Sequence, residues 1–215
     1  MLIRVWRGKD ELMQHISLII DGHDTSVPAG TTLLDAARQL GIDIPTLCHL
    51  QGHKTRAVCR ICVVALKGSG RMVPACATAA TEGMQIETGS AEVLAARRLL
   101  MEFTLAEHGE CDDATCAIEE LAGQLGVSKT RFQAPRHSNR SDLSSDFVSV
   151  RPELCVHCDR CIQACDRDQQ VLARAGRGAL VAVAFDDDRT MADSTCTNCG
   201  DCVSVCPAGG LSAAV

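Results

Sequence analysis

The apolar positions along the chain fall into stretches with different periods. Residues 16–20 form a short apolar run, 21–24 read Asp-Gly-His-Asp, and 25–27 are Thr-Ser-Val, which together predict a β-hairpin. Leu33, Leu34, Ala37 and Leu40 then recur at helical spacing. Thr31 or Thr32 is the expected cap of this helix and Gly41 its stop. Val63–Leu66 and Gln85–Glu87 read as further short strands. Between Ala91 and Gly126 the spacing predicts a packed helical connector, with Val93, Leu94, Leu99, Leu100, Phe103 and Leu121 on one side and Arg97, Arg98, Glu119 and Glu120 elsewhere. Residues 127–146, rich in Ser, Arg and Asn, read as a surface linker. Further on, residues 174–178 predict a turn, 180–185 a buried strand and 186–188 a solvated turn. Residues 1–15 form an extension that the pattern does not interpret.

Composition changes this picture in one respect. The hydrophobic fraction of 46% is ordinary, yet the chain has only four Phe, one Trp and no Tyr. The large rings that usually dominate core burial are missing. Small domains with thin cores need another staple, and fourteen cysteines in 215 residues supply one, as disulfides or as metal ligands. No secretory signal or twin-Arg pattern is apparent, and the run 16–20 is far too short to cross a bilayer. A cytoplasmic location is therefore expected, and with it metal or redox chemistry. The net charge of −6, without an extended basic run, argues against nucleic acid as a partner.

The strongest motif is repeated. Cys155, Cys158, Cys161 and Cys165 follow C-x2-C-x2-C-x3-C, and so do Cys196, Cys199, Cys202 and Cys206, each pair 41 residues apart. Such a repeat means duplicated supersecondary units. A tight C-x2-C-x2-C loop wraps three corners of an iron–sulfur cubane with its amides facing the sulfurs, but cannot reach the fourth. In two-cluster ferredoxins the fourth cysteine ligates the other cluster. That precedent assigns Cys155, Cys158, Cys161 and Cys206 to one [4Fe–4S] cluster, and Cys165, Cys196, Cys199 and Cys202 to the second. A pair of zinc ribbons is the competing reading, but zinc prefers two knuckles set further apart. The first array ends in Cys165-Asp166 and the second in Cys206-Pro207.

Upstream, Cys48, Cys59, Cys62 and Cys76 are spaced C-x10-C-x2-C-x13-C. The bland alternative is four buried structural cysteines. Hairpin, helix and cysteine loop together resemble the plant- and adrenodoxin-like ferredoxin module, a β-grasp holding a [2Fe–2S] cluster, although the opening differs from the plant C-x4-C spacing. The set Cys59-Arg-Ile-Cys62-Val-Val with Pro74-Ala-Cys76-Ala-Thr78 is similar to the N-terminal domain shared by the large iron–sulfur subunit of complex I, NAD-reducing hydrogenases and NAD-linked formate dehydrogenases. The resemblance covers nearly the whole chain. Its form is similar to the cluster-binding N-terminal region of the formate dehydrogenase large subunit and to the diaphorase small subunit of the hydrogenases.

The middle segment departs from that family. Its relatives carry H-x3-C-x2-C-x5-C for a further [4Fe–4S] cluster. Here Cys116 stands for the last cysteine, and with one residue deleted Cys111 matches the middle one and His108 the first. Thr104 falls where the family histidine belongs. Three donors for a four-cornered cluster predict its loss. Unusual ligation, free thiols or a reversible Cys111–Cys116 pair are the alternatives.

The resemblance thus implies an α+β chain. Its parts are a [2Fe–2S] β-grasp domain (1–90), a helical connector with linker (91–146) and a two-cluster bacterial ferredoxin-like domain (147–215). It further implies an electron-relay subunit between a flavin-containing NAD(P)H-handling partner and a catalytic subunit of formate dehydrogenase or hydrogenase type. A free-standing ferredoxin-like carrier is the alternative. The end at Val215 leaves no room here for a molybdopterin domain. With no dinucleotide fingerprint, nucleophile elbow or P-loop, no catalytic residue is expected. His49 and His157, beside ligand cysteines, are candidates for tuning a cluster's potential, although half-exposed loop positions are the simpler reading.

Overall fold

The structure is a computed structural model describing residues 14–111, 116–133, 141–165, 170–186 and 189–214. The extension up to residue 13, the middle of the linker and most of the turn 186–188 lie outside these residues.

The predicted hairpin forms between β1 (His15–Ile20) and β2 (His23–Pro28), paired antiparallel with Ile20 opposite His23. Asp21 and Gly22 both take positive φ, 50° and 84°, the conformation a two-residue hairpin loop demands. Helix α1 (Leu33–Gln39) starts where Thr32 accepts the Asp35 amide at 3.1 Å, and it buries Leu33, Leu34, Ala36 and Ala37. Strands β3 (Val63–Leu66), β4 (Met72–Pro74) and β5 (Gln85–Glu87) complete a sheet of order β2-β1-β5-β3-β4. Only the β1–β5 pairing is parallel. Leu18, Ile20, Val27, Leu33, Leu34, Val64 and Ile86 pack between sheet and helix with Cys62 and Cys76 at the margin of the same core. Aliphatic side chains and these two thiols build this core without a ring among the described residues, as the scarcity of rings requires.

The connector is two helices, α2 (Ala91–Glu107) and α3 (Ala117–Gln124), packed on each other. Its inward face keeps Val93 and Leu121 from the side read from the sequence, but not all the rest. Val93, Arg97 and Met101 are the buried positions of α2, whereas Leu94, Leu99 and Phe103 are exposed. Arg97, expected on a polar face, is 4% exposed and donates to the Val63 carbonyl at 2.8 Å. The Val63 carbonyl, at the first residue of β3, accepts from Arg97, so a cation with a long apolar stem fits better there than a leucine.

Towards the C-terminus, β6 (Val148–Val150) pairs antiparallel with β9 (Leu211–Ala213). Between them lie α4 (Arg160–Cys165), the hairpin β7 (Leu172–Ala175) with β8 (Ala182–Phe185), and α5 (Asp201–Ser204), which packs on α4. Arg174 and Ala175, read as turn residues, belong to β7. Of the predicted strand 180–185, only Ala182–Phe185 is extended pairing; Leu180 is 66% exposed. The linker is partly tied down: Asp142 exchanges backbone hydrogen bonds with Val150, and its carboxylate accepts the Met191 amide at 2.6 Å.

Candidate metal centres

All fourteen cysteines are uncrosslinked thiols, and they gather in groups. In the first group Cys48 and Cys59 come from the long loop after α1. Cys62 stands just before β3, and Cys76 sits in a short 3₁₀ turn after β4. The Cys48 amide donates to the Cys59 sulfur at 3.4 Å, and the sulfurs of Cys62 and Cys76 are 3.3 Å apart. Cys48, Cys62 and Cys76 are buried, and Cys59 is half-buried. Hydrogen bonding from Cys59 brings the Cys48 thiol down to about 6, and bonding from Cys76 brings Cys62 down to about 7. Their partners move the other way, raised first by these same contacts and then by burial. In each pair one thiol is lowered and the other raised by their mutual contact, as two sulfurs brought close without a cation between them must be. A rhombic cluster wants two thiolates on each of two irons.

The second group is a cavity lined by Cys155, Cys158, Cys161 and Cys206, with Val150, Val183 and Leu211 among its apolar walls. Burial pushes Cys155 up to about 11, Cys158 up to about 12 and Cys161 well above its ordinary value, and each is raised further by repulsion from Cys206. Cys206 arrives from 41 residues beyond Cys165 because β6 and β9 pair: Arg151 donates to the Gly210 carbonyl at 2.8 Å. Gly210 passes so close that a Cβ there would stand 3.3 Å from Cys155. In the third group burial pushes Cys202 up to about 11, with repulsion from Cys196, Cys199 and Cys165 added. Thiols this deep carry charge only beside a cation, which suits a metal-bound role.

The repeat is written in the backbone as well. His157 and Asp159 take positive φ, 52° and 62°, and so do their counterparts Asn198 and Gly200, 58° and 80°. Left-handed residues alternating with right-handed ones turn successive amides to one side, a concavity for an anionic group. The amide of His157 faces the Cys155 sulfur, and that of Asn198 donates to the Cys196 sulfur at 3.4 Å. Three non-glycine residues in this sparsely populated region point to a bound group that the loop is shaped around.

Contacts between the groups went unread in the sequence. Gln163 on α4 is 3% exposed and donates to the Cys48 carbonyl at 3.0 Å and to the Asp159 carbonyl at 3.2 Å. Asp159, 2% exposed, is gripped by Arg56 at 3.1 Å and by Arg174 at 2.6 Å. One apolar core holds Leu47, Cys48, Ile61, Cys116, Val156 and Cys158, with Cys59 and Cys111 packed against it. Nothing in the spacing of Gln163, Arg56 or Arg174 sets them apart from solvated residues. His49 is half-buried and its imidazole is lowered first by burial, then by Arg38. His157 has its Nδ1 3.9 Å from the Cys155 sulfur. In the middle segment, His108, Cys111 and Cys116 come together with all donor atoms within 4.8 Å.

Residues 13–91 match the 2Fe–2S iron–sulfur cluster binding domain, and residues 154–210 match the 4Fe–4S dicluster domain. Over 93% of its length the chain is 39% identical to the NADP-reducing hydrogenase subunit HndD of Solidesulfovibrio fructosivorans, spanning 36% of that protein. It is 32% identical over 91% of its length to an NADH-quinone oxidoreductase subunit of Rhizobium meliloti, spanning 24% of it. The NADPH-Fe(3+) oxidoreductase subunit alpha of Geobacter sulfurreducens is 31% identical over 91% of the chain, again with 24% of that protein spanned. The crystal structure of an NAD+-reducing [NiFe]-hydrogenase in the H2-reduced state contains a chain that superposes with a TM-score of 0.83 at 26% identity, covering 92% of this chain and 87% of that one. The chain thus spans about a third or less of the curated relatives it matches.

Proposed function

From a chain that carries a 2Fe–2S domain and a 4Fe–4S dicluster domain and resembles these hydrogenase and NADH-quinone oxidoreductase subunits, we propose an electron-relay subunit of a multi-subunit NAD(P)-linked oxidoreductase. In this reading residues 1–90 form a β-grasp, which the sheet order and the parallel β1–β5 pairing support. Residues 91–146 connect it to the two-cluster domain, 147–215. Cys48, Cys59, Cys62 and Cys76 hold the [2Fe–2S] cluster. Cys155, Cys158, Cys161 and Cys206 hold one [4Fe–4S] cluster, and Cys165, Cys196, Cys199 and Cys202 the other. When bound, these groups supply one-electron Fe(III)/Fe(II) exchange. The chain's own part is to hold them, keep water away and set the electrostatics around the sulfurs.

The observation that carries the relay reading is the junction of the thiol groups. Cys48 and Cys158 share one apolar core, and Gln163 bonds the Cys48 carbonyl from the helix bearing Cys161 and Cys165. A chain that merely stored iron would need no such contact between its ends. The partners are a flavin-containing subunit that handles NAD(P)H and a catalytic subunit of hydrogenase or formate dehydrogenase type. A cytoplasmic site of action goes with this reading, and no helix among the described residues is long and apolar enough to cross a membrane. The exposed Leu94, Leu99 and Phe103 on α2 favour a docked subunit over a free carrier, which would present a charged face.

Anaerobic purification followed by iron and sulfide counting tests the reading. About ten irons per chain are expected from one rhomb and two cubanes. A colourless, zinc-filled or cystine-linked chain overturns it. Retrieval of the native protein from its source, fractionated by size, separates a subunit from a free carrier.

A further inference from the structure

His108, Cys111 and Cys116 remain outside the twelve thiols assigned above. His108 closes α2, its amide donating to the Thr104 carbonyl at 3.1 Å, and Cys116 is the N-cap of α3. The two helix ends meet over the segment leading to Cys155. Gly109 donates to the Glu153 carbonyl at 2.9 Å, and a Cβ on Gly109 would stand 2.7 Å from that oxygen, so only glycine allows the approach. The Leu154 carbonyl lies 2.9 Å from His108 Nδ1. A carbonyl only accepts, so Nδ1 carries the ring proton and Nε2 presents a lone pair. That lone pair lies 3.1 Å from the Cys116 sulfur. A histidine whose tautomer and ring plane are fixed by a backbone carbonyl, with its free nitrogen among thiols, is a pre-oriented metal ligand.

The spacing separates one ion from a cluster. Donors around one tetrahedral ion stand about 3.3–3.8 Å apart, from bond lengths of about 2.0–2.3 Å. The terminal ligands of a cubane each end on a different iron and must stand further apart. Here one donor pair is at 3.1 Å and all three atoms lie within 4.8 Å. The donor set is one imidazole and two thiols, with Cys116 buried and Cys111 half-buried. Imidazole with thiolate suits zinc, and three protein ligands leave its fourth position to water.

We infer that His108, Cys111 and Cys116 bind a single zinc ion, in place of any third cubane. Zinc has no redox chemistry, so this centre takes no part in electron transfer. It pins the end of α2 and the start of α3 to the backbone beside Cys155. The inference is independent of how the twelve outer thiols are used.

The test is elemental analysis and zinc-edge X-ray absorption on the full chain, purified without oxygen and with its iron–sulfur centres in place. About one zinc per chain is expected, with two sulfurs near 2.3 Å and one nitrogen near 2.0–2.1 Å. In H108A and C116S, zinc affinity should fall by at least about tenfold with the iron count unchanged. Absence of zinc overturns the inference, as does an iron count near fourteen, which signals a further cubane. An all-sulfur zinc shell, or zinc kept in both variants, also overturns it by placing the ion on outer cysteines. The X-ray absorption of the unaltered chain decides the matter even if neither variant folds. An iron count below ten beside a correct zinc shell would instead count against the relay.

Discussion

Two buried charged residues show how single side chains set the behaviour of these centres. Arg97 is buried against the start of β3; burial works against its charge, while the Cys62 thiolate and Asp21 favour it. A fixed cation near Cys62 stabilises the more negative, reduced state of a cluster held there. Replacement of Arg97 by Met should lower the midpoint potential of the [2Fe–2S] centre by several tens of millivolts, at about 59 mV per tenfold for one electron, measured by a redox titration followed by electron paramagnetic resonance. Asp159 is a different case, since its carboxylate is closed off while both arginines keep about a third of their side chains in water. Arg174→Ala removes the shorter ion pair and leaves Arg56 as compensation. A loss of about 1–3 kcal/mol is expected, less than for an uncompensated buried charge, and denaturant melts of the holo-chain would measure it.

At the level of elements, α4 ties the two ends of the chain together. Its Gln163 amide satisfies the Cys48 carbonyl across 115 residues of sequence. Gln163→Leu keeps the bulk but leaves that buried carbonyl without its partner, at about 1–3 kcal/mol. The expected signs are earlier loss of the [2Fe–2S] absorption in denaturant and faster hydrogen exchange around residue 48. The hairpin β1–β2 and α1 were legible in the sequence because their signals are local: a turn pair that accepts positive φ, a capping threonine, a glycine stop. The inward face of α2 was legible only in part. Val93 was read correctly, but Leu94, Leu99 and Phe103 of the same expected stripe are exposed, and Arg97 and Met101 are turned inward instead. Helical period says that residues share a face; the neighbouring surface decides which face is covered.

For the whole molecule, the pairing of β6 with β9 brings the two ends of the C-terminal region together around a cavity lined by thiols and aliphatic side chains, with His157 and Asp159 also on its wall. If the crossed assignment holds, Cys206→Ser should cost about four irons and leave the [2Fe–2S] signal intact. Stripping iron from the whole chain with a chelator should unfold this domain first, because its segments then lose the metal–thiolate bonds that would crosslink them. Circular dichroism with hydrogen exchange would show protection lost beyond residue 147 before the five-stranded sheet melts.

The sequence alone determined the cysteine arrays, their repeat and every strand of the N-terminal sheet but β4, because ligand spacing and turn chemistry act over a few residues. It also identified His108, Cys111 and Cys116 as the odd set. Only the tertiary structure decided how far apart those three donors stand, that Leu154 orients the imidazole, and that Gln163, Asp159 and their arginines join the two ends. Such contacts bridge as many as 115 residues and depend on which surfaces meet, which no local pattern of residue types records.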